Sequence, residues 1–318
     1  MITALVRGNI AVLRASRGMD VLYVPGVRGG LTCTLTAVVF RLTGRRVLHH
    51  FHDLGTDALG ARFWFHLPTD FVHHTKFGYE SITTCVPSLR RKRNFIVAPV
   101  LEVPPARQLN REDQRLLEGK RNLFFIGQVS RHKGVDILLQ GFELIAREYP
   151  DVDLHLVGGC SDEFRGELDQ QLSFASLAHR VHFWGFREDA LQLLRHAYLY
   201  VHSSPPTRFN ESFGRSVVEA MALGVPTVCF RSGALQEIVV HEETGLICDE
   251  SAGDLAKGMK RMLNDARLRD QCSANSSKHY DKFYCPRAVL DRWQYVFSSP
   301  TRTALSSFRS RHSELRQV

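Results

Sequence analysis

The middle of the chain alternates between short apolar runs and segments whose apolar residues recur at helical spacing. Residues 122–127 form one such run, which predicts a buried strand that ends in glycine. From Val135 to Tyr149 the apolar positions mark one face of a helix, and a proline then ends it. Two further runs, 152–159 and 181–185, predict additional strands. Strands that alternate with helices in this way predict an α/β fold with a parallel sheet.

The same order of strand, loop, helix and strand recurs further along the chain. Residues 198–204 are apolar and β-prone, and two prolines follow them. A helix is predicted from Gly214 to Leu223, where a glycine supplies the C-cap, and residues 226–230 form the next strand. Open parallel sheets bind ligands beyond the carboxyl ends of their strands. We therefore look for a binding site in the loop that precedes this helix.

The N-terminal part shows the same alternation of strands and helices. Strands are predicted at Asp20–Val24, Arg46–His50, Asp70–His73 and Asn94–Ala98, and helices at about 3–17, 29–43 and 55–66. This pattern predicts a second α/β sheet. A length of 318 residues also favours two domains.

Two carboxylates, Glu211 and Glu219, flank the predicted helix start at Gly214. The backbone N–H groups at a helix start can bind an anion, and a carboxylate on either side can bind hydroxyl groups. A phosphate flanked by polyols is the chemistry of a nucleotide-sugar. The alternative interpretation is an ordinary helix with two solvated glutamates.

This segment resembles the nucleotide-sugar site of the retaining glycosyltransferase family four, which has the GT-B fold. The shared signature is Glu, seven residues and Glu, with Phe-Gly inside it and Glu-Ala-Met-Ala-x-Gly-x-Pro from the second Glu onward. The resemblance implies that Glu219 binds the ribose hydroxyls and that Glu211 contacts the donor sugar. It also implies that the Phe213 and Gly214 amides face the diphosphate, with Arg215 beside them.

A second block, Gln-Val-Ser-Arg-His-Lys-Gly, follows the strand at 122–127 and resembles the family's Gly-Arg-x-x-x-x-Lys-Gly motif. In the family, the arginine and the lysine hold the donor diphosphate. Lys133 matches the lysine, whereas Gln128 occupies the arginine position and Arg131 is a possible substitute for it. Gly158, at the end of the next strand, completes the expected donor-binding set. A solvated loop lysine is the alternative interpretation of Lys133.

The segment Val-Leu-His-His-Phe-His-Asp, residues 47–53, resembles a strand end of the family's N-terminal domain. The resemblance implies that His52 lies near the reacting sugar, where an imidazole can share a proton near neutral pH. The expected catalytic residues are therefore His52, Lys133 and Glu211. The chain has 15 histidines, so a structural role is the alternative interpretation of His52.

The resemblance implies an α/β protein of the GT-B fold, with two Rossmann-like domains that face a cleft. We expect an acceptor-side domain at 1–116, a nucleotide-sugar-binding domain at 117–285, a final helix at 286–298 that packs back toward the first domain, and a disordered tail at 299–318. The strand at 20–24 resembles a mid-domain strand, so the first strands of the N-terminal domain are expected to be missing. Three explanations stay open: a shortened chain, a start that lies upstream, or a partner chain that supplies the missing part.

Composition narrows the class of protein. A hydrophobic fraction of 44% suffices for real cores, and no 18-residue apolar run predicts a membrane-spanning helix. The seven cysteines include no C-x-x-C pair, which argues against a disulfide framework or a zinc site and favours a cytoplasmic location. The net charge of +8 leaves peripheral association with the inner face of a membrane open. No stripe of interleaved aromatic and basic residues indicates a nucleic-acid partner.

The activity implied by the resemblance is transfer of a sugar from a nucleotide-sugar to a hydroxyl of a glycan or lipid-linked acceptor, with retention of configuration, in polysaccharide or glycolipid synthesis. No cofactor is expected, because the nucleotide-sugar is a substrate. No metal is expected either, because a lysine and a helix start can stabilise the diphosphate and no Asp-x-Asp motif is evident. Two alternatives stay open: a non-catalytic or partner-dependent nucleotide-sugar-binding relative, and another GT-B enzyme such as a sugar epimerase or a phosphorylase.

Overall fold

The structure, a computed structural model, describes residues 2–26, 32–52 and 64–300. The chain divides into two compact units. The first comprises Met1–Pro99 together with Val289–Val318, and the second comprises Val100–Ala288. Each unit contains one parallel sheet, which confirms the α/β class predicted from the alternating pattern.

The first unit has a four-stranded sheet in the order β1-β2-β3-β4, and all neighbours are parallel. Its strands are β1 (Val21–Pro25), β2 (Arg46–His50), β3 (Asp70–His73) and β4 (Arg93–Ile96). Its helices are α1 (Ile2–Ala15), α2 (Thr34–Leu42) and α3 (Lys76–Cys85), followed by a 3-10 helix at Pro87–Arg91. Spatial order therefore follows chain order throughout this sheet.

The core of the first unit lies against this sheet and includes the fully buried rings of Phe40 and Phe71. Asp70, at the start of β3, is also buried. Its carboxylate forms ion pairs with Nε of Arg46 at 2.8 Å and Nε of Arg93 at 2.6 Å. Two guanidinium groups offset the cost of removing one carboxylate from water, so Asp70 can remain ionised while buried at the amino ends of the strands.

The second unit has a six-stranded parallel sheet in the order β10-β9-β8-β5-β6-β7. Its strands are β5 (Arg121–Ile126), β6 (Val152–Val157), β7 (Val181–Gly185), β8 (Ala197–His202), β9 (Thr227–Phe230) and β10 (Gly245–Cys248). Its helices are α4 (Arg111–Leu117), α5 (Val135–Ala146), α6 (Asp162–Phe174), α7 (Ala190–Leu194), α8 (Arg215–Ala222), α9 (Leu235–Ile238), α10 (Ala252–Asn264) and α11 (Ala266–Phe283), with a 3-10 helix at Ala178–Arg180. A last helix, α12 (Pro286–Ser298), belongs to the first unit from Val289 onward.

The order of strands in the second sheet reverses direction at β5. The chain proceeds from β5 to β6 and β7 on one side, then returns to place β8, β9 and β10 on the other side. Leu123 of β5 consequently pairs with Leu154 of β6 and with Leu199 of β8, and all three side chains are fully buried. The carboxyl ends of β5 and β8 thus form the switch point of the sheet, where open α/β sheets leave a crevice.

The predicted strands of both halves are all present, with ends that differ by one or two residues, and the helix predicted at 214–223 is present as α8. The helix predicted at 29–43 is observed as α2, and residues 27–31 lie outside the described part. Most of the helix predicted at 55–66, and the tail from 301 onward, also lie outside it.

The units divide at residue 99, whereas the domain prediction placed a boundary at 116. Side-chain contacts with α7 hold the segment before α4 in the second unit. The backbone N–H of Arg107 donates to Oε1 of Gln192 at 2.9 Å, and Nε2 of Gln192 donates to the Pro105 carbonyl at 3.0 Å.

Candidate functional site

A cavity of about 290 Å³ lies at the switch point of the second sheet. The end of β5, the end of β8, the loop before α5 and the start of α8 contribute its walls. Its lining residues are Phe125, Ile126, Gly127, Lys133, His202, Glu211, Gly214, Arg215, Ser216 and Glu219. Both carboxylates of the sequence motif therefore line one cavity, which we call the β5–β8 cavity, and the helix start opens into it.

Glu211 lies in the wall of this cavity, and only 7% of the residue is exposed. Three neighbouring side chains contact its carboxylate. Nζ of Lys133 lies 2.6 Å from its Oε1, and Oγ of Ser204 donates to the same oxygen at 2.9 Å. Nε2 of His202 lies 3.3 Å from that oxygen as well. All three contacts converge on Oε1, so Oε2 keeps its capacity to accept a hydrogen bond from a ligand.

These contacts set the protonation state of Glu211. Burial by itself raises the pKa of this carboxyl. The hydrogen bond and charge of His202, followed by those of Lys133, more than offset burial and lower the pKa to about 2. Glu211 is therefore ionised at any physiological pH, and it can accept hydrogen bonds but cannot donate a proton.

Lys133 reaches Glu211 because the backbone folds tightly just before α5. Gly134, the N-cap of α5, has a φ of +68°, and a Cβ there would lie 2.0 Å from the Ser203 carbonyl oxygen. Only glycine fits so close an approach in this conformation. Oγ of Ser203 donates to the Lys133 carbonyl at 2.9 Å, and the Lys133 ammonium stacks 3.8 Å from the centroid of the Phe209 ring.

The start of α8 forms a second wall of the cavity. Gly214 caps the helix with a φ of +75°, and a Cβ there would lie 2.5 Å from Cδ2 of Leu235. The hydroxyl of Tyr200 on β8 donates to the Ile126 carbonyl at 3.2 Å and can accept from Oγ of Ser216 at 2.7 Å. This buried tyrosine fixes α8 against the ends of both strands, so the first N–H groups of the helix have a defined place beside the cavity.

Glu219 lies on α8 one turn after Arg215. Nε of Arg215 donates to its Oε1 at 2.8 Å, and 74% of the arginine side chain is exposed. Although only 13% of the Glu219 side chain is exposed, a pair whose arginine is so exposed contributes little to stability. The carboxylate of Glu219 can therefore change partners when a ligand with hydroxyl groups enters.

The other predicted donor-binding residues lie around the rim of the cavity or outside it. Gln128 is exposed and directly follows the lining residue Gly127, and Gly158 packs against Gly127 so closely that a Cβ would lie 1.8 Å from its carbonyl oxygen. Phe213 is buried with its ring edge-on to that of Tyr284, at 6.0 Å between centroids. Whether its backbone amide faces a diphosphate stays a prediction.

Arg131 does not line the cavity in this structure. Its guanidinium pairs with the Glu167 carboxylate and lies 3.8 Å from Asp136, although 60% of its side chain is exposed. The structure thus offers no cation at the position of the family's arginine within the cavity walls. Whether Arg131 contacts a bound donor stays a prediction.

His52, the third residue predicted to be catalytic, lies in the first unit, just after β2. It is exposed, and its ring lies 4.3 Å from that of His50 and 5.5 Å from that of His74. Two neighbouring histidines are core residues instead: Nδ1 of His49 accepts from Trp64 at 3.2 Å, and Nε2 of His73 lies 3.0 Å from Oδ1 of Asn94.

Three polar residues of the site were not predicted from the sequence: His202 and Ser216, which line the cavity, and Ser204, which donates to Glu211. His202 and Ser204 end the apolar run at 198–204, where polar side chains interrupt a buried strand. The rule that ligands bind beyond the carboxyl ends of parallel strands could have identified them. Ser216 carried no comparable signal, because a serine in the first turn of a helix is common.

Comparisons with known proteins identify the family to which the chain is similar. The family model described as "Glycosyl transferases group 1" matches residues 106–279. D-inositol 3-phosphate glycosyltransferase of Corynebacterium diphtheriae is 28% identical over 228 residues, which cover 67% of this chain and 50% of that enzyme. Mannosylfructose-phosphate synthase of Agrobacterium fabrum is 33% identical over 157 residues, 46% of this chain and 34% of that enzyme.

Among solved structures, Anabaena Alr3699/HepE in complex with UDP and glucose superimposes with a TM-score of 0.74. It is 19% identical, and the match covers 92% of this chain and 81% of that one. This likeness supports the GT-B fold class and nothing finer. The chain spans about half the length of the curated relatives it matches. With the family model matched over more than half of its residues, the chain belongs to the glycosyl transferases group 1.

Proposed function

We propose that the chain transfers a sugar from a nucleotide-sugar to an acceptor hydroxyl, with retention of configuration, in the synthesis of a polysaccharide or glycolipid. The observation that carries the proposal is the shared cavity of Glu211 and Glu219, with the start of α8 between them and Lys133 alongside. A diphosphate needs cationic or N–H donors, and the two sugar rings beside it need acceptors. The β5–β8 cavity offers both.

The proposed roles follow from the chemistry of each group. Glu219 binds the ribose hydroxyls of the nucleotide, and Oε2 of Glu211 accepts a hydroxyl of the transferred sugar. The N–H groups at the start of α8 face the diphosphate. As the bond to the sugar breaks, negative charge grows on the leaving diphosphate, and donors that are already in place stabilise that charge most effectively.

Lys133 can serve the diphosphate without abandoning Glu211. An ammonium group has three donors, and the contact with Oε1 of Glu211 uses one of them. In the free protein the pair keeps the carboxylate ionised. With a donor bound, the same ammonium can bridge Glu211 and a phosphate oxygen, which links sugar binding to stabilisation of the leaving group.

The proposal also assigns His52 a place near the reacting sugar, and it takes a glycan or a lipid-linked alcohol as the acceptor. Association with a partner chain that completes the N-terminal domain, and peripheral attachment to an anionic membrane, are further parts of the proposal. Within the described residues, no helix is long and apolar enough to cross a bilayer.

Calorimetric titration with UDP-, GDP- and ADP-glucose tests the binding step. We expect one of these nucleotides to bind and Glu219→Gln to weaken it about tenfold or more, because a hydrogen bond to a charged group contributes about 1.5–3 kcal/mol. Glu163→Gln, in an exposed part of α6, is the matched control and should bind like the wild type. Equal binding by both variants would remove Glu219 from the site.

A second candidate function is a nucleotide-sugar-binding subunit that does not catalyse transfer. The exposed Gln128 at the family's arginine position favours it. An assay of nucleoside diphosphate released from the nucleotide-sugar, with water or an added alcohol as the acceptor, distinguishes the two candidates. Sugar transfer predicts release by the wild type and its loss in Glu211→Ala, whereas binding without any release would support the subunit.

A further inference from the structure

Three histidine side chains converge in the first unit, whereas the residues of the β5–β8 cavity all belong to the second unit. His50 ends β2, His52 follows it by two residues, and His74 directly follows β3. Each offers a ring nitrogen, and the three nitrogens lie within 4.8 Å of one another. We call His50, His52 and His74 the histidine triad.

One distance between ring nitrogens of the triad matches the separation of two nitrogen ligands on a single metal ion. Nε2 of His50 lies 3.4 Å from Nδ1 of His74. Two imidazole nitrogens bound to one tetrahedral zinc ion at 2.0–2.1 Å are separated by about 3.4 Å. A metal ion between the two rings would take the place of the proton that they otherwise share.

Two neighbouring side chains already orient the His50 ring. The hydroxyl of Tyr23 lies 2.6 Å from Nδ1 of His50, so the other nitrogen of that ring, Nε2, faces the triad. The Val97 carbonyl lies 3.2 Å from Nδ1 of His74, the nitrogen that faces His50, so a metal bound at that nitrogen would displace the proton that this carbonyl accepts. The Trp293 ring packs edge-on against His50 at 5.1 Å between centroids and is a second contact that holds the His50 ring. Metal-binding histidines are typically fixed by such contacts around them.

We propose that the histidine triad binds one divalent transition-metal ion, with zinc as the best fit and a fourth position open to water or another ligand. Three nitrogen ligands suit Zn²⁺, Co²⁺, Ni²⁺ or Cu²⁺, whereas Mg²⁺ and Ca²⁺ prefer oxygen ligands. Three protein ligands with one open position is also the arrangement of zinc sites that exchange ligands. The sequence argument against zinc considered paired cysteines and did not address histidines from separate strands.

The proposed metal site has one consequence for the proposed function. His52 belongs to the triad, and a bound metal takes its ring nitrogen. If His52 contacts the reacting sugar, excess zinc should inhibit transfer. This consequence rests on the proposed function, but metal binding itself does not, and it can be measured without a donor or an acceptor.

The test uses the full chain without a histidine tag, stripped of metal by a chelator and titrated with Co²⁺. We expect visible absorption bands of tetrahedral cobalt that saturate at one ion per chain, disappear on addition of Zn²⁺ and do not change with Mg²⁺. His52→Ala should abolish these bands. Because His52 is exposed, this variant should keep the fold, which circular dichroism verifies.

Two further variants complete the design. Tyr23→Phe removes the hydroxyl beside His50 and should weaken cobalt binding about tenfold, the effect of losing a partner that orients a ligand. His66→Ala replaces an exposed histidine of the same unit and should leave binding unchanged. Absence of the bands in the wild type, or bands that persist unchanged in His52→Ala, would overturn the proposal and leave the triad as a hydrogen-bonded cluster.

Discussion

Replacement of Glu211 by glutamine should destabilise the protein near neutral pH and much less in acid. The gap between the ordinary glutamate pKa of 4.5 and about 2 corresponds to about 3 kcal/mol, at about 1.4 kcal/mol for each pKa unit. This is an upper limit, because His202 adds its charge only while its ring is protonated. A hydrogen bond between charged groups contributes about 1.5–3 kcal/mol. We therefore expect Glu211→Gln to lose about 1.5–3 kcal/mol at about pH 7.

The sign of the pH dependence follows from the lowered pKa. A carboxyl with a lower pKa in the folded state stabilises that state fully above its unfolded pKa and loses this stabilisation as the pH falls toward the folded value. For Glu211 the window runs from about pH 5 down to about pH 2, and about three-fifths of the effect should be gone by about pH 3.

Urea unfolding followed by circular dichroism measures this effect in the wild type, in Glu211→Gln and in a control. The control, Glu219→Gln, removes a carboxylate whose arginine partner is mostly exposed, so it should change the free energy of unfolding by less than about 1 kcal/mol. Lys133→Met and the double variant give the coupling between the two charges. A loss for Glu211→Gln that is the same at about pH 7 and about pH 3 would refute the reasoning.

Two other substitutions probe the backbone and the buried charge. Gly214→Ala should lower the free energy of unfolding by about 1–2 kcal/mol and weaken nucleotide binding, because a residue in the left-handed conformation gains a side chain that meets Leu235. The control, Gly166→Ala, adds a methyl group in open space on α6 and should leave stability unchanged or increase it. Thermal denaturation and calorimetric titration measure both variants. Asp70→Asn should cost about 3–5 kcal/mol in urea unfolding, because it leaves two largely buried guanidinium groups without their carboxylate; a loss below about 1 kcal/mol would contradict this account.

The sequence by itself determined the strands and helices, and the segment of the site that surrounds the start of α8. Buried parallel strands are continuous apolar runs and helices carry a regular apolar stripe, so both could be located from local pattern. The segment that contains Glu211, Gly214 and Glu219 is contiguous, and its loop, helix cap and first helical turns are fixed by residues next to one another. Its two carboxylates and the helix start were therefore predicted before any contact was known, and the structure places them in one cavity.

Only the tertiary structure decided which distant groups meet. Lys133 contacts Glu211 across 78 positions because β5 and β8 are neighbours, and that strand order is not encoded in either strand alone. His202 and Ser204 join the same carboxylate because a strand end and a following loop fold back together. The histidine triad likewise forms because β2 and β3 are parallel, so that their carboxyl ends lie at one edge of the sheet. Local periodicity specifies each element, whereas burial of the whole sheet selects the order in which the elements pack.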